Sequence, residues 1–414
     1  MYFTENGIRG IQVPQLANRM AKRVRYIDEW TKERNTRMKK VIVVGAGILG
    51  ASTAYHLAKS GAEVLLIDRK DAGQATDAAA GIICPWLSQR RNQDWYQLAK
   101  AGARYYPELI TELECTGETE TGYAQTGALS IHTDQEKINK IAERAKLRRE
   151  DAPEIGTITC LDENETRERF PLLGEGYSSV HISGAARVDG RALRDALIRS
   201  AQRHGARLIE GEARVLYEDE QVTGVEVQSK HYVADRVVVC AGAWANELMK
   251  PLGIHFNVHY QKGQIVHLRT SNQQNTEEWP VIMPPTDQYL LAFAEQKIVI
   301  GATHENDVHG YDTRITAGGM QEVLNKGLEL APELADSTID EVRVGFRPFT
   351  PGFLPVMGHV PGWSGLITAN GLGASGLTMG PYIGSQLAKL ALDMAPDINM
   401  DAYDVSKAIE SKAE

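Results

Sequence analysis

The first structural signal in the chain is the pattern of apolar residues between positions 41 and 68. Val41–Val44 is an unbroken β-branched run, which is typical of a strand buried on both faces. The glycine-rich segment Gly45–Gly50 follows, and a helical pattern then continues to about Ser60. A second apolar run, Val64–Ile67, ends at Asp68. This pattern predicts one βαβ unit of a parallel sheet.

The remaining pattern predicts a mixture of helices and short strands. Helices are predicted at 94–114, 134–149, Arg191–His204, Gly319–Leu330 and Ser375–Met394. Strands are predicted at Ala128–His132, Arg207–Ile209, Arg214–Tyr217, Val222–Gln228 and Arg236–Cys240. Between Val258 and Ala302 the alternation shortens into strands at Gln264–Leu268, Gln288–Phe293 and Lys297–Ile300, which indicates an antiparallel sheet.

Composition narrows the class of protein. The 414 residues are 43% hydrophobic and 24% charged, which is typical of a globular chain and excludes a disordered or collagen-like one. Glycine is in excess, at 38 residues. The net charge of −9 argues against nucleic acid as a partner. Four widely spaced cysteines form neither a disulfide framework nor a metal motif, so a reducing cytoplasm is expected.

The basic residues are concentrated at the start of the chain. Residues 1–40 hold ten Lys and Arg against four Asp and Glu, a surplus of six, so the remainder carries −15. We expect residues 1–37 to be a basic extension, either a surface arm or a segment upstream of a second start at Met38. The leader has no apolar core of the kind found in secretory signals, and association with a membrane surface stays open.

The motif Gly45-x-Gly47-x-x-Gly50 gains meaning from its context. It follows a strand, opens a helix and is followed by Asp68 at the end of the next strand, which is the arrangement of a dinucleotide-binding site. Gly45 permits the tight turn, Gly47 lets the backbone approach a pyrophosphate, and Gly50 lets helix and strand pack closely. Asp68 can accept hydrogen bonds from a ribose hydroxyl. The motif predicts an ADP-containing cofactor without deciding between FAD and NAD.

Several separated blocks resemble the D-amino acid oxidase-like family of FAD-dependent oxidoreductases, which includes glycine oxidase and sarcosine oxidase. The blocks lie within residues 38–405 and comprise the fingerprint, Gly73–Gly81, Val188–Gly190, Val237–Trp244, Lys262–Gln264, Ile300–Thr303, Gly345–Pro351, Pro355–Gly358 and Gly371–Gly376. The resemblance implies non-covalent FAD, because the stretch where some sarcosine oxidases carry an attaching cysteine has none here. It implies cofactor contacts at Gly45, Gly47, Ile48, Leu49, Gly50, Asp68, Arg69, Ala75, Thr76, Ala80, Gly81, Val215, Ala241, Gly242, Trp244, Gly371, Gly373, Ser375, Gly376 and Leu377.

The resemblance also implies an α/β architecture, α+β overall, in which a Rossmann-like FAD-binding domain is interleaved with an antiparallel-sheet substrate domain. The FAD-binding domain is predicted at 38–115, 185–255 and 340–405. The substrate-binding domain is predicted at 116–184 and 256–339, and 406–414 is predicted to be a polar tail.

Two residues are predicted to form the substrate pocket. In the family the arginine of the Gly-Phe-Arg-Pro motif, here Arg347, binds the substrate carboxylate, and a guanidinium fork matches that group. Tyr289, twelve residues before Gly301, falls on a pocket tyrosine of glycine oxidase. A structural ion pair and a core tyrosine are the alternative interpretations. Met283 and His304 lie nearby in sequence and receive no role.

The predicted activity is oxidation of a D-amino acid, glycine or a sarcosine-like amine by hydride transfer from Cα to flavin N5, with the imine then hydrolysed to an oxo acid. O2 or a quinone-type carrier would accept the electrons, no metal is required, and a homo-oligomer stays open. Gly352 and Leu372 stand where many members have Asp and His, so substrate identity is open.

Two other functions remain as alternatives. One is an FAD-dependent 2-hydroxy acid or polyol-phosphate dehydrogenase, which would need a general base, usually histidine. No histidine lies in the blocks assigned to the flavin, which counts against it. The other is a non-catalytic or NAD-binding module, which would be colourless when purified.

Overall fold

The computed structural model describes residues 38–271 and 275–410. The predicted basic extension, residues 1–37, lies outside this range. The first unit is as predicted, with strand β1 at Lys40–Val44, helix α1 at Ile48–Lys59 and strand β2 at Glu63–Asp68. Helix α1 stops at the C-cap Ser60, and Gly61 adopts a positive φ of 86°, which is the usual glycine termination of a helix.

The further elements follow in chain order. The helices are α2 Gln93–Cys115, α3 Gln135–Arg149, α4 Glu163–Arg169, α5 Gly190–Arg203, α6 Ala245–Met249, α7 Ala317–Leu330 and α8 Gly376–Ala391. The strands are β3 Ile82–Ile83, β4 Ala128–His132, β5 Ile158–Leu161, β6 Ser178–Ile182, β7 Ala186–Arg187, β8 Arg207–Glu210, β9 Ala213–Glu218, β10 Gln221–Val227, β11 Lys230–Val233, β12 Arg236–Val239, β13 His259–Arg269, β14 Val281–Met283, β15 Tyr289–Ala292, β16 Lys297–Gly301, β17 Thr338–Phe349, β18 Val356–His359 and β19 Leu366–Asn370.

A six-stranded sheet carries the glycine turn. Its order is β18-β19-β12-β1-β2-β8, and all pairs are parallel except β18 with β19. Helices α1, α5 and α8 pack together on one face, and Gly384 in α8 allows a close approach because an added Cβ would lie 2.6 Å from Ser52. The separate antiparallel sheet β11-β10-β9 follows β8 along the chain.

An eight-stranded sheet forms the second layer, in the order β17-β13-β16-β15-β14-β4-β6-β5. It is antiparallel as predicted, apart from one parallel pair in which Val281 of β14 lies beside Ala128 of β4. Helix α7 packs against β13 and β16 on the face away from the glycine turn. The combination of a parallel and an antiparallel sheet confirms the predicted fold class.

The longest strand, β17, was not predicted as a strand. Its charged residues Asp340, Glu341 and Arg343 hide the alternation, and they are satisfied by ion pairs rather than by solvent alone, as in the 2.7 Å contact of Arg343 with Glu341. The predicted domain boundary at 339 falls inside this strand. The first part of the predicted polar tail packs against the body, because Ala408 is buried.

The described helices include none that is both long and apolar enough to cross a bilayer.

Candidate active site

A cavity of about 760 Å³ lies between the carboxyl ends of the parallel strands and the eight-stranded sheet. One end is lined by the glycine turn and by residues 211–216, and the other by β17 and the residues around Tyr289. The volume is in the upper part of the range for small-molecule sites.

The three glycines of the fingerprint, Gly45, Gly47 and Gly50, are glycine for different structural reasons. A Cβ on Gly50 would lie 1.8 Å from the oxygen of Gly45, and a Cβ on Gly45 would lie 2.4 Å from the oxygen of Cys240, so packing requires both glycines. Gly47 is different, because its φ of −64° suits any residue and its Cβ would meet only Thr76 Oγ1, at 3.3 Å. Gly47 lines the cavity, so a ligand that approaches the backbone there accounts for this glycine better than packing does.

Asp68 fixes the turn as well as lining the cavity. Its Oδ2 accepts a hydrogen bond from the backbone N–H of Ala46 (2.6 Å), and its Oδ1 accepts from Lys70 N (2.6 Å) and Gln74 Nε2 (2.8 Å). The predicted ribose contact would therefore add to hydrogen bonds that already orient the carboxylate.

Two helix N-termini open into the cavity. The N-cap residues of α1 and α8, Gly47 and Ser375, make no side-chain capping bond, so free N–H groups and the positive ends of two helix dipoles are available to an anionic ligand. The N–H of Ile48 at the start of α1 is not among the free groups, because it donates to Thr76 Oγ1 (3.0 Å) and so ties the 75–81 loop to the turn. This arrangement suits the phosphates and the anionic flavin of a dinucleotide cofactor.

Most of the predicted cofactor-contacting residues line this cavity. They are Gly45, Gly47, Ile48, Leu49, Asp68, Arg69, Ala75, Thr76, Ala80, Gly81, Val215, Ala241, Gly242, Trp244, Gly373, Gly376 and Leu377. Gly50, Gly371 and Ser375 do not line it. Gly371 serves packing instead, because its added Cβ would lie 1.8 Å from Thr350 Oγ1.

Arg347 reaches the cavity from β17. Its Nη1 donates to Gln261 Oε1 (2.9 Å) and to the backbone oxygen of Thr303 (3.1 Å). Within the part of the chain that the structure describes, no carboxylate lies within ion-pair distance of Arg347. This geometry counts against the structural ion pair and leaves the positive charge available to a ligand.

Tyr289 lies beside Arg347 in the same cavity. Its hydroxyl group is close to Gly301, where an added Cβ would be 3.2 Å away. Burial raises the pKa of Tyr289, and the nearby charge of Arg347 opposes that shift. The phenol is therefore protonated at neutral pH and can donate a hydrogen bond.

A histidine also lines the cavity, contrary to the expectation that no histidine accompanies the flavin-binding blocks. His304 Nδ1 lies 3.3 Å from Asp287 Oδ2, and both side chains line the cavity together with Arg347. The sequence contained a signal for this histidine, because His304 directly follows the Ile300–Thr303 block that resembles the family. Its partner is seventeen residues away and is brought near only by the β15–β16 hairpin. Met283 does not line the cavity.

The chain matches the family described as FAD dependent oxidoreductase over residues 40–390, and it belongs to that family. The uncharacterized oxidoreductase YurR of Bacillus subtilis (strain 168) is 62% identical over 372 residues, which cover 90% of this chain and all of the relative. The crystal structure of iminodiacetate oxidase from Chelativorans sp. BNC1 superimposes with a TM-score of 0.85 at 44% identity, covering 88% of this chain and 98% of that one. Glycine oxidase of Pseudomonas putida is 29% identical over 375 residues, covering 88% of this chain and 98% of the relative.

The family identification confirms the resemblance and the FAD cofactor. The cavity fits that cofactor, because it combines a glycine that packing does not require with two open helix N-termini.

Proposed function

We propose that this enzyme oxidises the Cα–N bond of glycine or of an N-substituted glycine, of which iminodiacetate is one example. An FAD-dependent reaction at a C–N bond agrees with the family and with relatives named for iminodiacetate and glycine oxidation. The observation that carries the proposal is the guanidinium of Arg347, which faces the cavity without an acidic partner among the described residues.

Arg347 would bind the substrate carboxylate through a charge-assisted hydrogen bond. The two acceptors on Nη1, from Gln261 and Thr303, fix the plane of the guanidinium without neutralising it. A fixed, charged donor orients a bound carboxylate as well as attracting it, and such orientation lowers the barrier of the later step.

Tyr289 would donate a hydrogen bond to the same carboxylate, since its hydroxyl group is protonated and lies near Arg347. FAD, when bound, supplies the acceptor for the hydride that leaves the substrate Cα. The protein residues then contribute position and electrostatics rather than a covalent intermediate, and water hydrolyses the released imine.

An N-substituted glycine suits the glycines around this pocket. Gly263 lies under the guanidinium and Gly301 lies beside Tyr289, and neither position projects a side chain toward the bound amino acid. Similarity to iminodiacetate oxidase at 44% identity favours a secondary amine over a D-amino acid with a bulky side chain.

A second candidate is oxidation of a 2-hydroxy acid, which the contact between His304 and Asp287 favours. A histidine oriented by a carboxylate is the arrangement that removes a hydroxyl proton in many dehydrogenases.

One experiment separates these functions. The FAD-loaded enzyme is mixed anaerobically with glycine, sarcosine, iminodiacetate, D-alanine or glycolate, and bleaching of the flavin absorbance is followed. We expect fast reduction by iminodiacetate or glycine and none by glycolate. Reduction by glycolate alone would replace the proposed function with the second candidate. Repeating the active reaction with O2 or with an artificial quinone identifies the electron acceptor.

A further inference from the structure

We propose that His304, oriented by Asp287, accepts a proton from the ammonium group of the bound substrate. This inference rests on the proposed function, because it requires an amino acid held by its carboxylate on Arg347. The step is needed because an ammonium nitrogen has no lone pair to assist departure of the Cα hydride. Arg347, which binds the carboxylate, does not remove that proton.

The backbone places His304 next to the carboxylate anchor. The oxygen of Thr303 accepts a hydrogen bond from Arg347 Nη1 (3.1 Å), and His304 is the next residue. The side chain of His304 lines the cavity and remains 39% exposed. An α-amino acid carries its nitrogen one carbon away from its carboxylate, so a group adjacent to the anchor is suitably placed to meet the nitrogen.

Asp287 selects the tautomer of His304. Its Oδ2 lies 3.3 Å from Nδ1, and a carboxylate at that position favours the proton on Nδ1, which leaves a lone pair on Nε2. Asp287 is itself held by Lys326 from α7, whose Nζ lies 3.3 Å from Oδ1 and also contacts Glu322 (2.8 Å). Lys326 therefore holds the Asp287 carboxylate in place beside His304.

The charged groups around His304 come from three elements. Arg347 belongs to β17, Asp287 precedes β15, and Lys326 and Glu322 belong to α7. Partial burial lowers the pKa of His304, Arg347 and Lys326 lower it further, and Asp287 and Glu322 oppose them. The imidazole is therefore neutral at pH 7 and able to accept a proton.

The proposed step moves one proton and no electrons. An N–H bond of the substrate ammonium breaks, an Nε2–H bond forms on His304, and the electron pair of the broken bond stays on the substrate nitrogen. The neutral amine that remains can support departure of the Cα hydride, for which FAD, when bound, would supply the acceptor. His304 returns its proton to water, which its exposed fraction permits.

The first test compares His304→Gln with His309→Gln, an exposed histidine that does not line the cavity. Anaerobic flavin reduction by subsaturating substrate is measured from roughly pH 7 to 10, a range above the ordinary pKa of histidine. We expect His304→Gln to be slower by roughly 100-fold near pH 7. Its rate should recover toward the wild-type rate as the pH rises, because the substrate then loses its proton to solvent. A variant profile that runs parallel to the wild-type profile would overturn the inference.

The second test needs no turnover. 2-Aminoisobutyrate has an ammonium group but no Cα hydrogen, and isobutyrate has the same carbon skeleton and carboxylate without the ammonium. Their binding to the FAD-loaded enzyme is followed by the flavin absorbance. In the wild type, acidification to the point where His304 becomes protonated should weaken binding of 2-aminoisobutyrate and strengthen binding of isobutyrate, because protonated His304 repels an ammonium and attracts a carboxylate. The difference should disappear in His304→Gln and persist in His309→Gln.

Identical pH trends for the two ligands in the wild type would overturn the role of His304. A different pair of results would separate the two claims. If the two ligands show opposite pH trends but no amino acid reduces the flavin, the proposed function is contradicted while the contact between His304 and the ammonium is retained.

Discussion

The guanidinium of Arg347 lies directly over Gly263, where an added Cβ would be 2.7 Å from Nη2. Arg347 extends from β17 across β13 to reach the backbone oxygen of Thr303, beyond the end of β16. A side chain on the central strand would block that path. Gly263 therefore determines where the positive charge of the site lies, although it carries no functional group.

Gly263→Ala should displace the guanidinium while leaving the fold intact. Overpacking of this kind costs roughly 1–3 kcal/mol, and we expect carboxylate binding to weaken by a similar amount. The measurement is the Kd of isobutyrate from the flavin absorbance. Gly318→Ala is the matched control, because its added Cβ would have no neighbour within 4 Å, and it should bind isobutyrate as the wild type does. If Gly263→Ala binds isobutyrate with wild-type affinity, the Arg347 side chain does not need to pass over residue 263 to bind a carboxylate.

Arg347→Ala should weaken the binding of isobutyrate by about 1.5–3 kcal/mol, the range for a hydrogen bond to a charged group. Arg347→Lys should recover only part of this affinity, because an ammonium retains the charge but lacks the planar fork. Arg314→Ala, at a side chain that is 84% exposed and paired with Asp312, is the control. Wild-type affinity in Arg347→Ala would remove this residue from the substrate site.

Alanine substitutions at Gly47 and Gly50 should have different effects. Gly50→Ala places a Cβ 1.8 Å from the oxygen of Gly45, so it should lower the Tm both with and without added FAD. The Cβ added in Gly47→Ala meets only Thr76 Oγ1, at 3.3 Å. This variant should therefore have the wild-type Tm when FAD is absent, but it should bind FAD more weakly. Thermal unfolding and the FAD content of the purified variants give both quantities. Full FAD affinity in Gly47→Ala would mean that the cofactor does not approach this backbone.

His267 should make the protein sensitive to acid. Burial, together with the nearby charges of Arg343 and Lys297, lowers its pKa to about 3. Neither ring nitrogen has a hydrogen-bond partner in the described part of the chain. The unfolded chain has an ordinary histidine pKa near 6.5, so below that pH it binds more protons than the folded state. As the pH falls from about 6.5 to 3, this residue therefore lowers the free energy of unfolding by up to about 1.4 kcal/mol per pH unit.

The variant His267→Leu removes that contribution. Its free energy of unfolding, from denaturant titrations of the FAD-loaded protein at several pH values, should fall less steeply with acid than that of the wild type. His56 has a similarly lowered pKa of about 3, mainly through burial, so part of the acid sensitivity should remain. Equal slopes in the wild type and His267→Leu would mean that His267 is not buried as a neutral group.

Local patterns were sufficient for the elements that carry their own signal. The β1–α1–β2 unit and helix α3, predicted at 134–149 and observed at Gln135–Arg149, depend on periodicity within one segment. The glycine turn was predicted for the same reason, because its dihedral angles and its contacts with the following helix are local. Strand β17 was missed because its charged residues are satisfied by partners distant in sequence, such as Arg191 of α5, which lies 2.9 Å from Glu341.

The sequence by itself determined the family and its FAD cofactor, and it predicted the cofactor turn and the substrate role of Arg347, since each is carried by a short motif whose chemistry follows from its own residues. Only the tertiary structure decided that Arg347 crosses Gly263 and that His304 meets Asp287. Those relationships depend on the register of β13 with β17 and of β15 with β16, which places Gln261 beside Arg347 and Tyr289 beside Gly301. Strand register is set by the burial of whole sheet faces and not by any single segment. For that reason the second polar pair of the site becomes visible only in the folded chain.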